Sequence, residues 1–231
     1  MAYIGRTPTP SALTASDITD GIVSNAKLAQ DIISADTALG ATPADTDEFL
    51  VSDAGVLKRM DYSYIKGGIS EFDMWRLTTA FADAAAPIAS NWERVDTSAA
   101  NVPFDKIGTG MSESSGIFSF PSTGKYLITF TFSAKNTTST GERNYNAEIW
   151  TTTDNSTYAF VSSGQCNIGY YSSSVNNFQS SSTYLMFDVT DITNDKVRFH
   201  VNPAGNTSNV TTLGSTTQNW TYVQFLRLGD T

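Results

Sequence analysis

The chain has 231 residues and a mass of 24.9 kDa, with 40% hydrophobic and only 16% charged side chains, a net charge of −9 and a pI near 4.4. An acidic chain without a basic run does not track nucleic-acid phosphates, which need clustered Lys and Arg. A single cysteine, Cys166, and a single histidine, His200, exclude an intramolecular disulfide, a zinc site of Cys and His ligands, and an iron–sulfur cluster within one subunit.

Small hydroxyl side chains cover the surface that Lys and Glu usually cover: 27 Ser and 31 Thr, a usage that suits short strands and turns better than helix interiors. The opening MAYIGRTPTPSALTAS lacks the apolar core of a signal peptide, and nowhere does a run of ~20 apolar residues provide a membrane span. The expectation is a soluble chain made in a host cytoplasm, with no cofactor.

Aromatic residues divide the chain. Of 27 Phe, Trp and Tyr, only Tyr3, Phe49, Tyr62 and Tyr64 precede Phe72. Large side chains supply most of a core's buried area, so the later part can fold alone and the first cannot easily do so. The boundary is placed at Lys66-Gly67-Gly68, giving an arm of residues 1–68 and a head of residues 69–231.

Within the arm, the TPTP stretch blocks helix and leaves an extended lead-in. Asn25 can cap AKLAQDII, a short helix with Leu28, Ile32 and Ile33 on one stripe. EFLVSDAGVLKRM has two apolar runs around Asp53-Ala54-Gly55, the signal of a hairpin, and Asp61 can cap a brief helix in DYSYIK. Such pieces make either a solvated linker or an arm that orders against other subunits. Ile18, Ile22, Leu28, Ile32 and Phe49 are the candidate anchoring residues, too many for a linker and too scattered for a core.

From Phe72 onward the period is close to 2, which predicts an all-β sandwich. Strands are expected at residues 74–81, 92–96, 116–120, 124–135, 144–153, 158–168, 182–189, 196–201 and 220–228. In GKYLITFTFSAK, Tyr126, Ile128, Phe130 and Phe132 form the core face, and the residues between them a polar face. Two strands are apolar on both faces. Leu185, Phe187 and Val189 alternate with Tyr184 and Met186; Val223 and Phe225 alternate with Tyr222, Leu226 and Leu228. The second face meets either a neighbouring subunit or a loop of the same chain, and Tyr184, Met186, Tyr222 and Leu226 are the candidate interface.

The stretch PFDKIGTGMSESSGIFSFPSTGKYLITFTF resembles the globular head of the complement and tumour necrosis factor superfamily, with Phe104, Gly116, Phe118, Pro121, Gly124, Tyr126 and Phe130 in the family's places. DVTDITNDKVRFHV and TYVQFLRL resemble its later strands. Ile128 departs from the pattern, standing where the family prefers Phe. The resemblance covers most of residues 75–229 and implies a ten-stranded jelly roll that trimerises around a threefold axis. In the arm, ITDGIVSNAKLA and TPADTDEFLVSDAGVLKRMDYSYIK resemble segments of bacteriophage tail-fibre and other virion proteins that precede receptor-binding heads.

Catalysis is not expected. His200 lies opposite the buried face of KVRFHV, and no nucleophile elbow accompanies it. Asp188, Asp191 and Asp195, with Asn194, offer hard oxygens to calcium, against the commoner role of turn residues that bond backbone N–H groups. Cys166 reads as a small buried hydrophobe. Tyr145, Tyr170, Tyr171 and Phe178 lie among Asn, Gln and Ser in two loops, the composition of a sugar-binding surface or of ordinary polar loops whose aromatics fold back. The expected function is a virion structural protein: a homotrimeric fibre or spike whose arm docks on other virion proteins of capsid or tail and whose head binds a host surface glycan or protein. The alternative is a head-fibre or decoration protein without a receptor role.

Overall fold

A computed structural model of the chain describes residues 14–17, 37–65, 67–95, 105–136, 141–169, 176–203 and 210–231. The chain divides into two units, Met1–Gly67 and Gly68–Thr231. In the first, β1 (Glu48–Asp53) and β2 (Val56–Asp61) pair antiparallel, with Asp53 opposite Val56. The two-residue turn is Ala54-Gly55, and both residues have positive φ, 49° and 85°. That geometry matches the right-handed twist of the flanking strands. Tyr62–Tyr64 forms one 3-10 turn, and the Asp61 side chain before it accepts no capping N–H, contrary to the capping role expected of it. The helix expected after Asn25 lies outside the described residues, as do Ile18, Ile22, Leu28 and Ile32.

The second unit consists of β3 (Phe72–Leu77), β4 (Phe81–Ala82), β5 (Trp92–Arg94), β6 (Ser112–Ser114), β7 (Ile117–Ser119), β8 (Gly124–Asn136), β9 (Glu142–Thr152), β10 (Ala159–Ile168), β11 (Asn177–Val189), β12 (Lys196–Pro203), β13 (Val210–Thr212) and β14 (Tyr222–Gly229). These are twelve strands among the described residues where ten were expected; β4 and β13, two and three residues long, carry too little alternation to be read.

One sheet runs β5–β3–β14–β8–β11, with β13 continuing beyond β14 along the same edge of β8 and β4 pairing β13. The other runs β6–β7–β12–β9–β10. All pairings are antiparallel. Eight strands, β3–β14–β8–β11 facing β7–β12–β9–β10, give the strand order of a jelly roll.

The alternation in β8 fixes the core. Tyr126, Ile128, Phe130, Phe132 and Ala134 are fully buried, as the period-2 pattern predicts. Facing them across the sandwich are Phe118, Ile149, Val197, Phe199 and Val201. Phe118 is the hub: its ring centroid lies 5.6 Å from Trp75, 5.6 Å from Trp92, 5.5 Å from Phe199 and 5.4 Å from Phe225. Its place is set by the tight turn Ser115-Gly116, where Gly116 has φ 81° and its backbone comes so close to Ile88 that a Cβ would stand 2.3 Å from the Ile88 carbonyl oxygen.

The two sheets meet at one corner through hydroxyls. Ser162 Oγ on β10 donates to the Tyr184 carbonyl on β11 at 3.0 Å, Ser181 Oγ donates to the Gln165 carbonyl at 3.4 Å, and Ser162 pairs with Thr183. Gly164 permits the approach, since a Cβ there would stand 2.6 Å from the Ser182 carbonyl oxygen.

Candidate functional site

The pairing of β11, β8, β14 and β3 lines up side chains across the outer face of their sheet. One row is Met186, Leu127, Leu226 and Phe72; the next is Tyr184, Thr129, Gln224 and Met74; a third begins Ser182, Thr131, Tyr222. Tyr184 is 71% exposed and Met186 52%, while Leu127, Tyr222 and Leu226 are half-buried. The structure therefore brings all four residues of the expected interface onto one face. No described loop covers Tyr184 or Met186. The third row ends at Arg76, whose guanidinium is enclosed, bonds Glu93 through Nη2 at 3.1 Å and leaves Nε and Nη1 without partners. Sequence reasoning missed this cation because a lone Arg in an alternating strand reads as solvated.

Farther along the same face, Ser133, Phe178, Gln179, Ser180, Leu213 and Trp220 line a groove of about 340 Å³. Of the residues offered for surface recognition that are described, Phe178 and Tyr145, Phe178 reaches such a place. Tyr145 is a correction. It lies in β9, fully buried, packed on Phe132 at 5.2 Å with its hydroxyl donating to the Asp83 carbonyl at 3.1 Å and paired with Thr212 Oγ1 at 2.7 Å. The strand expected at residues 144–153 includes it, and alternation in β9 turns its ring to the core with Ala147 and Ile149, away from any loop surface. Tyr170 and Tyr171 lie outside the described residues. Trp220 went unremarked because it sits just before β14, where a bulky residue reads as the first strand position.

No family model matches the chain, and no curated protein matches it. Among solved structures, the chain is similar to murine APRIL at pH 5.0, at 13% identity over 68% of this chain and 98% of that one, TM-score 0.47. It is similar to PRD1 vertex protein P5, at 18% identity over 71% and 100%, TM-score 0.41, and to the globular domain of zebrafish complement 1qA protein, at 15% over 70% and 99%, TM-score 0.40. At these scores the fold assignment rests on the strand order and register described above.

The other candidate groups lie in packed surroundings. His200 is buried on the outer side of the second sheet, stacked on Trp150 at 4.8 Å and 18°. Burial and the like charge of Arg198 push its pKa down to about 4, so the ring is neutral at pH 7. Glu148 lies 3.9 Å from Nδ1, and its oxygens already accept from Trp150 Nε1 at 2.8 Å and Asn202 Nδ2 at 3.3 Å. This is a packed polar patch with no ion pair at neutral pH. Asp195 Oδ2 accepts the N–H groups of Thr190 at 2.7 Å and Asp191 at 2.9 Å, and Asp191 accepts from Thr193 N–H at 2.8 Å and Asn194 Nδ2 at 2.7 Å. Those bonds hold the Asp191 carboxyl below the usual carboxylate range. Asp188 stands apart, opposite Lys125 on the sheet edge. Partial burial pushes the Cys166 thiol up to about 11, which leaves it unreactive at neutral pH. Among the described residues, no helix is long and apolar enough to cross a membrane.

Proposed function

We propose that this chain is the subunit of a homotrimeric virion fibre or spike, in which a jelly-roll head binds the host surface and the amino-terminal unit docks on a capsid or tail protein. The observation that carries the reading is the apolar outer face of the β3–β14–β8–β11 sheet, where Tyr184 and Met186 stand exposed beside Leu127, Tyr222 and Leu226. Contiguous apolar surface of this kind marks an interaction site, since removing it from water contributes roughly 25 cal/mol per Å². Its occupant is a second copy of the chain, and cyclic closure of such contacts gives a ring.

The docking role of the amino-terminal unit is supported by its hairpin. Leu50 and Leu57 share one face and are 74% and 67% exposed, and Val56 on the other face is 59% exposed. A two-stranded hairpin with apolar residues on both faces gains its stability from a partner. The resemblance of this segment to bacteriophage virion proteins supplies the partner's class. The head acts by binding and scaffolding, without catalysis.

Light scattering on the purified full chain should give three times 24.9 kDa. Replacing Tyr184 and Met186 together by Asp should shift the mass to that of one subunit while leaving the β spectrum unchanged. A stable wild-type monomer at micromolar concentration overturns the proposal.

A further inference from the structure

We infer that the groove at the β8–β11 end of the sheet is a binding site for an uncharged saccharide ring, read by Trp220 and Phe178 as apolar platforms and by Ser133 and Ser180 as hydrogen-bonding groups. The inference names the ligand class for the receptor-binding role proposed above, and it rests on that reading.

The groove adjoins the interface at Tyr222 and lies apart from Tyr184 and Met186. Tyr184 and Met186 stand opposite Thr129 and Leu127, whereas Ser180 stands opposite Ser133 and Phe178 opposite Lys135, two and more residues farther along β8 past the Ser182–Thr131–Tyr222 row. Its volume of about 340 Å³ is that of a small-ligand cleft. Phe178 and Trp220 are 55% and 40% exposed, so two aromatic side chains border the space without being used by the core.

The polar groups suit hydroxyl ligands. Ser180 Oγ donates to the Phe132 carbonyl at 2.9 Å, and Ser133 Oγ donates to Ser180 Oγ at 3.3 Å. That chain orients the pair and leaves Ser133 Oγ with lone pairs for a ligand hydroxyl. None of the six lining residues is ionisable, and the whole chain carries a charge of −9. Lys135 stands across from Phe178 at the end of the groove, and the net negative charge of the chain opposes an anionic ligand. A wholly apolar peptide would leave the serine hydroxyls short of partners, which costs binding energy. A sugar ring, with C–H groups on its faces and hydroxyls on its rim, satisfies both sets.

The test uses the full chain, with methyl glycosides of glucose, galactose and N-acetylglucosamine and their β-linked disaccharides as probes, and sialyllactose as the charged control. Titration followed by ligand-observed NMR should show binding of at least one neutral probe and none of sialyllactose. Trp220→Ala and Phe178→Ala should each weaken it at least tenfold, while Phe160→Ala, an exposed aromatic on the other sheet, leaves it unchanged. Absence of binding by every neutral probe overturns the inference, as does binding that both groove variants leave intact. If Trp220→Ala instead lowers the mass seen by light scattering, a second copy fills the groove and the saccharide assignment falls. The mass of the wild type reports separately on the trimer, so loss of one claim is distinguishable from loss of the other.

Discussion

Tyr126 shows how much a single position settles. Its ring is fully buried against Phe120 at 4.8 Å, and its hydroxyl reaches Ser122 Oγ at 3.0 Å and the Ser122 carbonyl at 3.1 Å. Truncation to Ala removes the aromatic ring and leaves a cavity, so Tyr126→Ala should lower stability by about 3–5 kcal/mol in chemical denaturation. Tyr126→Phe loses only the hydroxyl's bonds and should cost about 1 kcal/mol. His200 provides a pH-dependent counterpart. Its folded pKa of about 4 lies below the ordinary 6.5, so the unfolded chain binds the proton more readily. The contribution to stability is complete above pH 6.5 and is lost as pH falls from there towards 4, by up to about 3 kcal/mol. Denaturation midpoints measured from pH 7 to 4.5 should therefore fall in the wild type and fall less in His200→Phe. The lowered carboxyls of Asp154 and Asp191 act in a separate window, below their ordinary value of 3.8. Residue-scale reading succeeded for Tyr126 because strict alternation over β8 leaves one assignment of faces. It failed for Tyr145, which was assigned to a polar surface by the Asn-rich composition around it although alternation within the expected strand 144–153 sets it on the face of Ala147 and Ile149.

At the scale of elements, β11 is the informative case. Its second half, with Leu185, Phe187 and Val189 facing inward, was legible from alternation. Its first half was not: Asn177 to Ser182 has one large apolar residue, Phe178, which points outward, and the serines offered no hydrophobic period. What makes this half a strand is pairing with β8 from Asn136 onward, a non-local cause that no local pattern contains. The same serines serve the corner with β10, where Gly164 allows the backbone of one strand to approach the carbonyl of the other. Gly164→Ala should separate the two edges, lowering stability by roughly 1–3 kcal/mol and raising amide exchange in β10 and β11 ahead of the rest of the head. An unchanged exchange pattern would show that the corner yields without strain. The hairpin in the first unit was legible for the opposite reason, since an Asp-Ala-Gly turn between two apolar runs is a wholly local signal.

For the whole molecule, the contrast between an aromatic-rich part and an aromatic-poor part maps onto two units that meet at Gly67 and Gly68. A sandwich with its own packed core implies that the head can fold without the hairpin unit. Deleting residues 1–40 should leave the head folded and trimeric and abolish its incorporation into particles, read by thermal unfolding, light scattering and the protein content of purified virions. Truncated protein at normal occupancy would assign attachment to the head. The groove was only partly readable at this scale, because its six residues come from four separated stretches of chain and converge only through sheet pairing. The sealed corner bears on crowding. In the proposed fibre or spike, many copies of the head stand at close quarters, where a long bare strand would recruit its neighbours into continuous cross-chain sheets. Hydroxyl donors already occupying the Tyr184 and Gln165 carbonyls blunt that edge, so the copies can stand side by side without aggregating.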